Sequence, residues 1–183
     1  RPLSVFVANR YFACSKVAAC WLYGSDKDSQ IINNAIDVEC FQYKEETRQA
    51  LRSELGLADK FVIGHIGRFV YQKNHAYLIR LFYQVAQQLP SAHLVLVGDG
   101  PLRESVLDQL KSLDLFERVT YLGLRNDIYR LYSLFDVFYF PSWYEGLGVV
   151  AIESQAAKLP ILMSNFAPDE AIIYSSLVTH IGI

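Results

Sequence analysis

FVIGHIGRFVYQKNHAYLIRLFYQVAQQLPSAHLVLVGDGP, residues 61–101, is the stretch whose reading decides the architecture. It opens on a short apolar run, Phe61–Ile66, bounded by Gly67 and continuous enough for a strand covered on both faces. Asn74–Leu89 then places Leu78, Leu81, Phe82, Val85 and Leu89 at helical spacing and stops at Pro90. A second apolar run, His93–Val97, leads into Gly98-Asp99-Gly100-Pro101. Strand, glycine turn, amphipathic helix, strand and glycine turn together read as a βαβ unit on a parallel sheet.

The same alternation extends in both directions. Strands are predicted at Arg10–Cys14, Gln30–Asn33, Val119–Leu122, Val137–Phe140 and Ile161–Met163. Helices are predicted at Lys44–Leu55, ended by Gly56, and at Leu102–Leu113, Asp127–Leu134 and Leu147–Lys158, the last stopped by Pro160. The opening residues read as a strand followed by a helix, Ser15–Tyr23, capped by Gly24. The polar loop Ser25–Ser29 reads as a domain joint, which divides the chain into residues 1–29 and 30–183. The class is α/β, with a Rossmann-like doubly wound sheet as the main body.

Composition narrows the function. Hydrophobic residues are 52% and charged residues 20% of the 183, a globular balance with a sizeable core. A net charge of -2 gives no bulk attraction to nucleic acid or acidic lipid, so any anion site must be local. Cys14, Cys20 and Cys40 are an odd set without metal-ligand spacing and read as reduced thiols of a cytosolic protein. No apolar run approaches the ~20 residues that cross a bilayer, and the start does not read as a signal peptide. A first residue other than methionine, Arg1, reads as a piece cut from something longer.

Two segments carry candidate chemistry. The first is Gly67-Arg68-Phe69-Val70-Tyr71-Gln72-Lys73-Asn74, at the carboxyl end of a parallel strand, where open α/β sheets bind ligands. Arg68 and Lys73 can converge there on one diphosphate; a solvated loop with ordinary surface cations is the alternative. Its glycine spacing is neither a dinucleotide fingerprint nor a P-loop. The second is Pro141-Ser142-Trp143-Tyr144-Glu145-Gly146-Leu147-Gly148-Val149-Val150-Ala151-Ile152-Glu153. A glycine-rich turn opening a helix offers free amides to a phosphate, and Gly146 and Gly148 allow close approach. Glu145 sits at the mouth of that turn. Glu153 lies two turns in, on an otherwise apolar segment, where a carboxylate needs water or donors. Ribose and sugar hydroxyls would supply donors; a helix-start acid and a half-exposed glutamate are the alternative.

Glu145 and Glu153, with seven residues between them, resemble the EX7E signature of retaining GT-B glycosyltransferases of family four. Other motifs agree in order: Gly67-Arg68 with Gln72-Lys73, Val97-Gly98-Asp99-Gly100-Pro101-Leu102, Leu122-Gly123 with Asn126-Asp127-Ile128, and Asp136-Val137 with Pro141-Ser142. The resemblance implies that Gly67, Arg68 and Lys73 hold the donor diphosphate, helped by the amides of Gly146, Leu147, Gly148 and Val149. It implies that Glu145 contacts the transferred sugar, with Glu145, Arg68 and Lys73 as the catalytic set, and that Glu153 contacts the ribose. The turn Leu124–Asp127 would frame the base, with Arg125 or Arg130 against the ring.

Tyr11-Phe12-Ala13-Cys14-Ser15-Lys16 resembles the end of that family's amino-terminal domain. Asn33-Asn34-Ala35-Ile36-Asp37 resembles its interdomain crossing, with Ala35 where glycine is usual. Residues 30–183 are then the donor-binding domain, truncated at its carboxyl-terminal end. The implied activity is metal-independent transfer of a sugar, with retention, from a nucleoside-diphosphate sugar (UDP by default) to a saccharide or lipid-linked acceptor. The implied place is the cytoplasm, at the inner membrane face. Two rivals are an epimerase of the same fold and a non-catalytic nucleotide-binding module.

Three other features are read as structural. Asp26-Lys27-Asp28 matches a D-x-D metal motif but follows a helix cap rather than a strand, and no neighbouring ligands complete a shell. His65, His75, His93 and His180 lack metal spacing, and His65, within a strand, reads as a satisfied core residue. The many tyrosines and phenylalanines read as packing.

Overall fold

The computed structural model describes residues 9–26 and 28–183; Lys27, the centre of the Asp26–Asp28 motif, lies outside the described residues. Among the described residues no group of acidic, histidine and cysteine side chains is placed to hold a metal ion.

The elements run β1 (Tyr11–Ala13), α1 (Lys16–Tyr23), β2 (Ser29–Ile31), α2 (Val38–Phe41), α3 (Glu45–Glu54), β3 (Phe61–Ile66), α4 (His75–Gln88), β4 (Ala92–Val97), α5 (Arg103–Ser112), β5 (Val119–Gly123), α6 (Ile128–Leu134), β6 (Val137–Phe140), α7 (Val149–Ala156), β7 (Ile161–Ser164) and β8 (Val178–Ile181). Every predicted strand and helix is present, most within a residue or two at each end. Two elements escaped prediction. Val178-Thr179-His180-Ile181 pairs with β7 at the sheet edge, where half-exposed polar positions erase the apolar run. α2 is a single turn capped by the Asp37 side chain. The last long helix begins at Val149, two residues later than the spacing predicted, because Gly148 caps it in a left-handed conformation.

The large sheet has the order β5-β4-β3-β6-β7-β8, with every pairing parallel. Strand alternation sends Val62, Ile66, Val95, Val97, Phe138 and Phe140 into one core, with Leu51, Leu131 and Ala151 from α3, α6 and α7. Ile63, Leu94, Leu96, Val137 and Tyr139 face the other core, with Leu78, Phe82, Val106 and Leu110 from α4 and α5. Helices on both faces explain why the strands read as continuous apolar runs. The chain starts the sheet at its centre with β3, builds outward to β5, then returns to β6 and builds the other way. That reversal leaves a crevice between the carboxyl ends of β3 and β6, where doubly wound sheets bind ligands.

β1 and β2 form a separate two-stranded parallel sheet, with Ala13 opposite Ile31. α1 ends as predicted at Gly24, left-handed at φ 84°, and at its start the Ser15 hydroxyl accepts from Ala18 N. Ala35 is not among the left-handed residues, so its backbone conformation does not call for glycine.

Candidate functional site at the switch point

The two loops singled out in the sequence leave β3 and β6, and the backbone laces them together. Trp143 N donates to Gln72 O at 2.9 Å, and the Gln72 side chain returns a bond to Tyr144 O at 2.9 Å. Asn74 adopts a left-handed conformation, tolerable for asparagine, and caps α4 by accepting from Tyr77 N. Its amide donates to Pro141 O at 3.2 Å. Held this way, Lys73 Nζ reaches Glu145 Oε1 at 2.6 Å. Both side chains are largely buried, 14% and 7% exposed, so the pair lies in a low dielectric where its attraction is poorly screened. The ammonium also lies 5.2 Å from the Phe140 ring centre.

Beside this pair opens a cavity of about 550 Å3 at the carboxyl ends of β3, β4 and β5, lined by Gly67, Arg68, Gly98, Asp99, Leu124, Arg125 and Ile128 among others. The turns that frame it are bonded to one another through Gly67 N to Val97 O, Phe69 N to Asp99 O and Gly98 N to Gly123 O. Gly98 is required twice over: its φ is +126°, and a Cβ there would stand 2.1 Å from Gly67 O. Gly67 joins the two parts of the site, since it lines the cavity and the Lys73 stem lies 3.4 Å from where its Cβ would be.

Arg68 and Lys73 thus sit on one loop with different partners. Lys73 is held by Glu145, whereas Arg68 is exposed, lines the cavity and makes no side-chain hydrogen bond or ion pair among the described residues. The two arginines that the resemblance offers against a base both bond Asp127. Arg125 grips it with two bonds of 2.8 Å, and Arg130 reaches it at 3.3 Å. The Arg125 contact holds the Asp127 carboxyl below its ordinary value. Arg125 remains on the cavity wall, and Arg130 is not among the lining residues. Leu124 is 78% exposed at the rim.

Gly146, Leu147 and Gly148 precede α7, so the free amides of its first turn are those from Val149 onward, together with the turn itself. Gly148 takes φ 82°, and a Cβ there would meet the Phe140 ring at 2.9 Å. Eight residues after Glu145, Glu153 accepts a 2.6 Å hydrogen bond from the Tyr132 hydroxyl. Burial raises the Glu153 carboxyl above its ordinary value, and the tyrosine bond acts against that rise.

Three contributors were missed from sequence. Tyr132 is 1% exposed, and a buried phenol needs a partner, yet nothing in the sequence names Glu153 as that partner. Ser15, fully buried, donates a short hydrogen bond to Gly146 O while also capping α1, and Lys16 N donates to Glu170 Oε1 at 2.8 Å. These contacts span more than a hundred residues, beyond any local signal. The third is His65, which corrects the expectation of a satisfied core histidine. Its Nδ1 bonds Tyr139 O at 2.9 Å, but Nε2 is buried without a partner among the described residues, 3.2 Å from where a Gly67 Cβ would lie. His75 packs edge-on against His65 at 4.9 Å between centroids and stacks on Phe69 at 4.3 Å. Burial, then His75 and Lys73, keeps His65 neutral well below its usual range, and burial with Lys73 brings His75 down to about 4.

The chain is similar to EpsF of Bacillus subtilis strain 168, 33% identical over all of this chain and 49% of that protein. It is also similar to the Escherichia coli UDP-Gal:alpha-D-GlcNAc-diphosphoundecaprenol alpha-1,3-galactosyltransferase, 30% identical over 83% of this chain and 40% of that one. Among solved structures, Anabaena HepE in complex with UDP superposes with a TM-score of 0.84 at 25% identity, covering 96% of this chain and 50% of that one. The chain therefore spans about half, or less, of the length of these relatives. Residues 47–175, which include both loops, the cavity and the two glutamates, match the family described as Glycosyl transferases group 1, and the chain belongs to that family.

Proposed function

We propose that this chain is the nucleotide-sugar-binding part of a retaining glycosyltransferase. It holds the diphosphate of a UDP-sugar across the switch point between β3 and β6. The observation that carries this reading is the Lys73–Glu145 pair, with Arg68, unpartnered among the described residues, on the same loop. A buried carboxylate holds the ammonium in place without exhausting its three donors, and Arg68, on the cavity wall, adds a planar fork. Together with the amides at the start of α7 they form a positive frame for a dianionic leaving group.

In this reading the uracil and ribose occupy the cavity bounded by Leu124, Arg125 and Ile128, with Glu153 toward the ribose and Glu145 toward the transferred sugar. HepE, solved with UDP, supports the choice of base. When the bond to the sugar breaks, negative charge grows on the departing diphosphate. Arg68, Lys73 and the helix start stabilise that charge by pre-set electrostatics rather than through a metal. No covalent intermediate on a side chain is required.

The acceptor is a saccharide carried on a lipid diphosphate. Relatives named for undecaprenol-diphosphate substrates support this assignment, which puts the whole protein at the cytoplasmic membrane face. No helix among the described residues is long and apolar enough to cross a membrane. Residues 1–29 are then the tail of the acceptor-binding domain, and residues 30–183 bind donor but transfer little sugar alone.

Calorimetric titration with UDP, UDP-sugars and other nucleoside diphosphates, with and without EDTA, tests the reading. Micromolar UDP binding that survives EDTA is expected; absence of binding by any nucleoside diphosphate overturns the proposal. Sugar interconversion without an acceptor would mark the chain as an epimerase instead.

A further inference from the structure

The carbonyl of Gly146 is gripped by a residue from the opening segment of the chain. The Ser15 hydroxyl accepts from Ala18 N at 3.0 Å, so its single proton goes to Gly146 O. Ser15 is fully buried, and neither bond competes with water. The contact is flanked on both sides. The Cys14 sulfur lies 4.0 Å from the same carbonyl, and Lys16 N donates to Glu170 Oε1 at 2.8 Å. The start of α1 is thereby seated on the turns that follow β6 and β7.

What this contact fixes is the peptide between Gly146 and Leu147. That peptide is planar and trans, so its carbonyl and its N–H point in opposite directions. With the oxygen turned to Ser15, the Leu147 N–H is turned away from it. Neither Gly146 N nor Leu147 N has a hydrogen-bond partner among the described residues, although Leu147 is only 5% exposed. A backbone donor in so buried a residue calls for an acceptor. The peptide directly follows Glu145, the partner of Lys73, in a turn tight enough to bring Glu145 Cγ within 3.8 Å of where a Gly148 Cβ would lie. Gly146 has open space where a Cβ would be, so sterics at that residue do not hold the peptide in place.

We propose that Ser15 is a positioning residue for the donor site: it locks the Gly146–Leu147 peptide in the orientation that leaves the Leu147 N–H for the diphosphate. This rests on the donor-binding reading above. Released from Ser15, the peptide can rotate and bring the Gly146 carbonyl to where the N–H stood. An amide hydrogen attracts a phosphate oxygen and a carbonyl oxygen repels it, so one rotation reverses what the turn offers an anion. Setting the orientation beforehand removes the cost of ordering it on binding. The lock comes from the β1–α1 segment, so the seat of that segment controls the polarity of the donor turn.

Calorimetry with UDP, and competition NMR with uridine, which lacks the diphosphate, test this on the chain as it stands. Ser15→Ala should weaken UDP about three- to tenfold, the worth of one hydrogen bond, and leave uridine unchanged. Ser15→Gly, a better helix cap than alanine, should do the same, and it serves if the alanine variant folds poorly. Ser15→Thr, which retains the hydroxyl, should restore the wild-type affinity. In isotope-labelled wild-type protein the Leu147 amide resonance should move downfield with UDP. Equal weakening of UDP and uridine by the alanine and glycine variants would reduce the serine to a structural role and overturn the proposal. So would unaltered UDP affinity in both, or a wild-type Leu147 amide indifferent to UDP. In each of these cases the donor reading stands, because wild-type protein still binds UDP. If wild-type protein binds no nucleoside diphosphate, that reading falls, and the lock falls with it.

Discussion

β3 and β6 lie side by side and carry charged groups at both ends, yet the two ends are built to opposite specifications. At the amino ends, Asp136 accepts from Arg48 and Arg52 at 2.5 Å each and from Val62 N at 2.7 Å. The arginines spend their remaining donors on backbone carbonyls, Ser133, Leu134 and Phe135 for Arg48, and Leu134, Ala58 and Lys60 among those of Arg52. At the carboxyl ends, Lys73 and Glu145 share one hydrogen bond, and among the described residues the Arg68 side chain has none and His65 Nε2 is buried without a partner. One end is saturated and serves as a clamp. The other is left with spare hydrogen-bonding capacity, which is what a ligand would use. Charge alone does not mark a site; unspent charge held in place does.

The largest expected effect lies at the saturated end. Asp136→Ala leaves two partly buried guanidinium groups facing each other, and breaking such a network costs about 3–5 kcal/mol. Urea unfolding should show that loss. A cost below ~1 kcal/mol would dissolve the contrast between the ends.

Next come Arg68→Ala and Lys73→Ala, each expected to weaken nucleoside diphosphate binding by about 1.5–3 kcal/mol, the range of charge-assisted hydrogen bonds. Arg68→Ala should leave stability within ~0.5 kcal/mol, as for exposed substitutions. Unchanged affinity in both variants would place the anion elsewhere.

Acid should separate the ends as well. His75, brought down to about 4 when folded, binds fewer protons than in the unfolded chain between that value and its ordinary one near 6.5. The unfolded state therefore gains protons first, and stability falls as pH drops through that window. From pH 7 to 5 the loss should be about 1–2 kcal/mol, and His75→Phe should flatten that part of the urea-midpoint profile. Asp136 behaves differently. Burial alone would raise its carboxyl, but the Val62 amide and the two arginines outweigh it and hold the group below its ordinary value. Its contribution is present above the unfolded value near 3.8 and is lost only as pH falls below it.

The smallest effect is Ser15→Ala, which removes the α1 cap and the bond to Gly146 O; the cap is worth about 1 kcal/mol. Ser15→Thr should restore the thermal midpoint, because threonine keeps both the acceptor and the donor.

The fold was legible because its signals are local. Each buried strand announces itself by a run such as Phe61–Ile66, each helix by a stripe such as Leu78, Phe82 and Val85, and each ending by Gly56, Pro90 or Pro160. β8 escaped because an edge strand has one neighbour and keeps polar residues. The segments of the site were legible too, since glycine turns after strands and two glutamates at fixed spacing can be read without coordinates. What the chain does with those residues was not. Arg68 and Lys73 read as converging on one diphosphate from one loop, and Arg125 or Arg130 as lying against a base.

By itself, then, the sequence determined the order of strands and helices, the two glycine loops and the identity of the charged groups on them, because each depends on neighbours within a few positions. Tertiary structure alone decided the long-range pairings: Lys73 with Glu145, Tyr132 with Glu153, and Ser15 with Gly146 O. Those choices rest on which groups the twisted sheet brings within about 3 Å in a place shielded from water. Hydrogen bonds depend so steeply on distance and angle that no spacing along the chain can specify them.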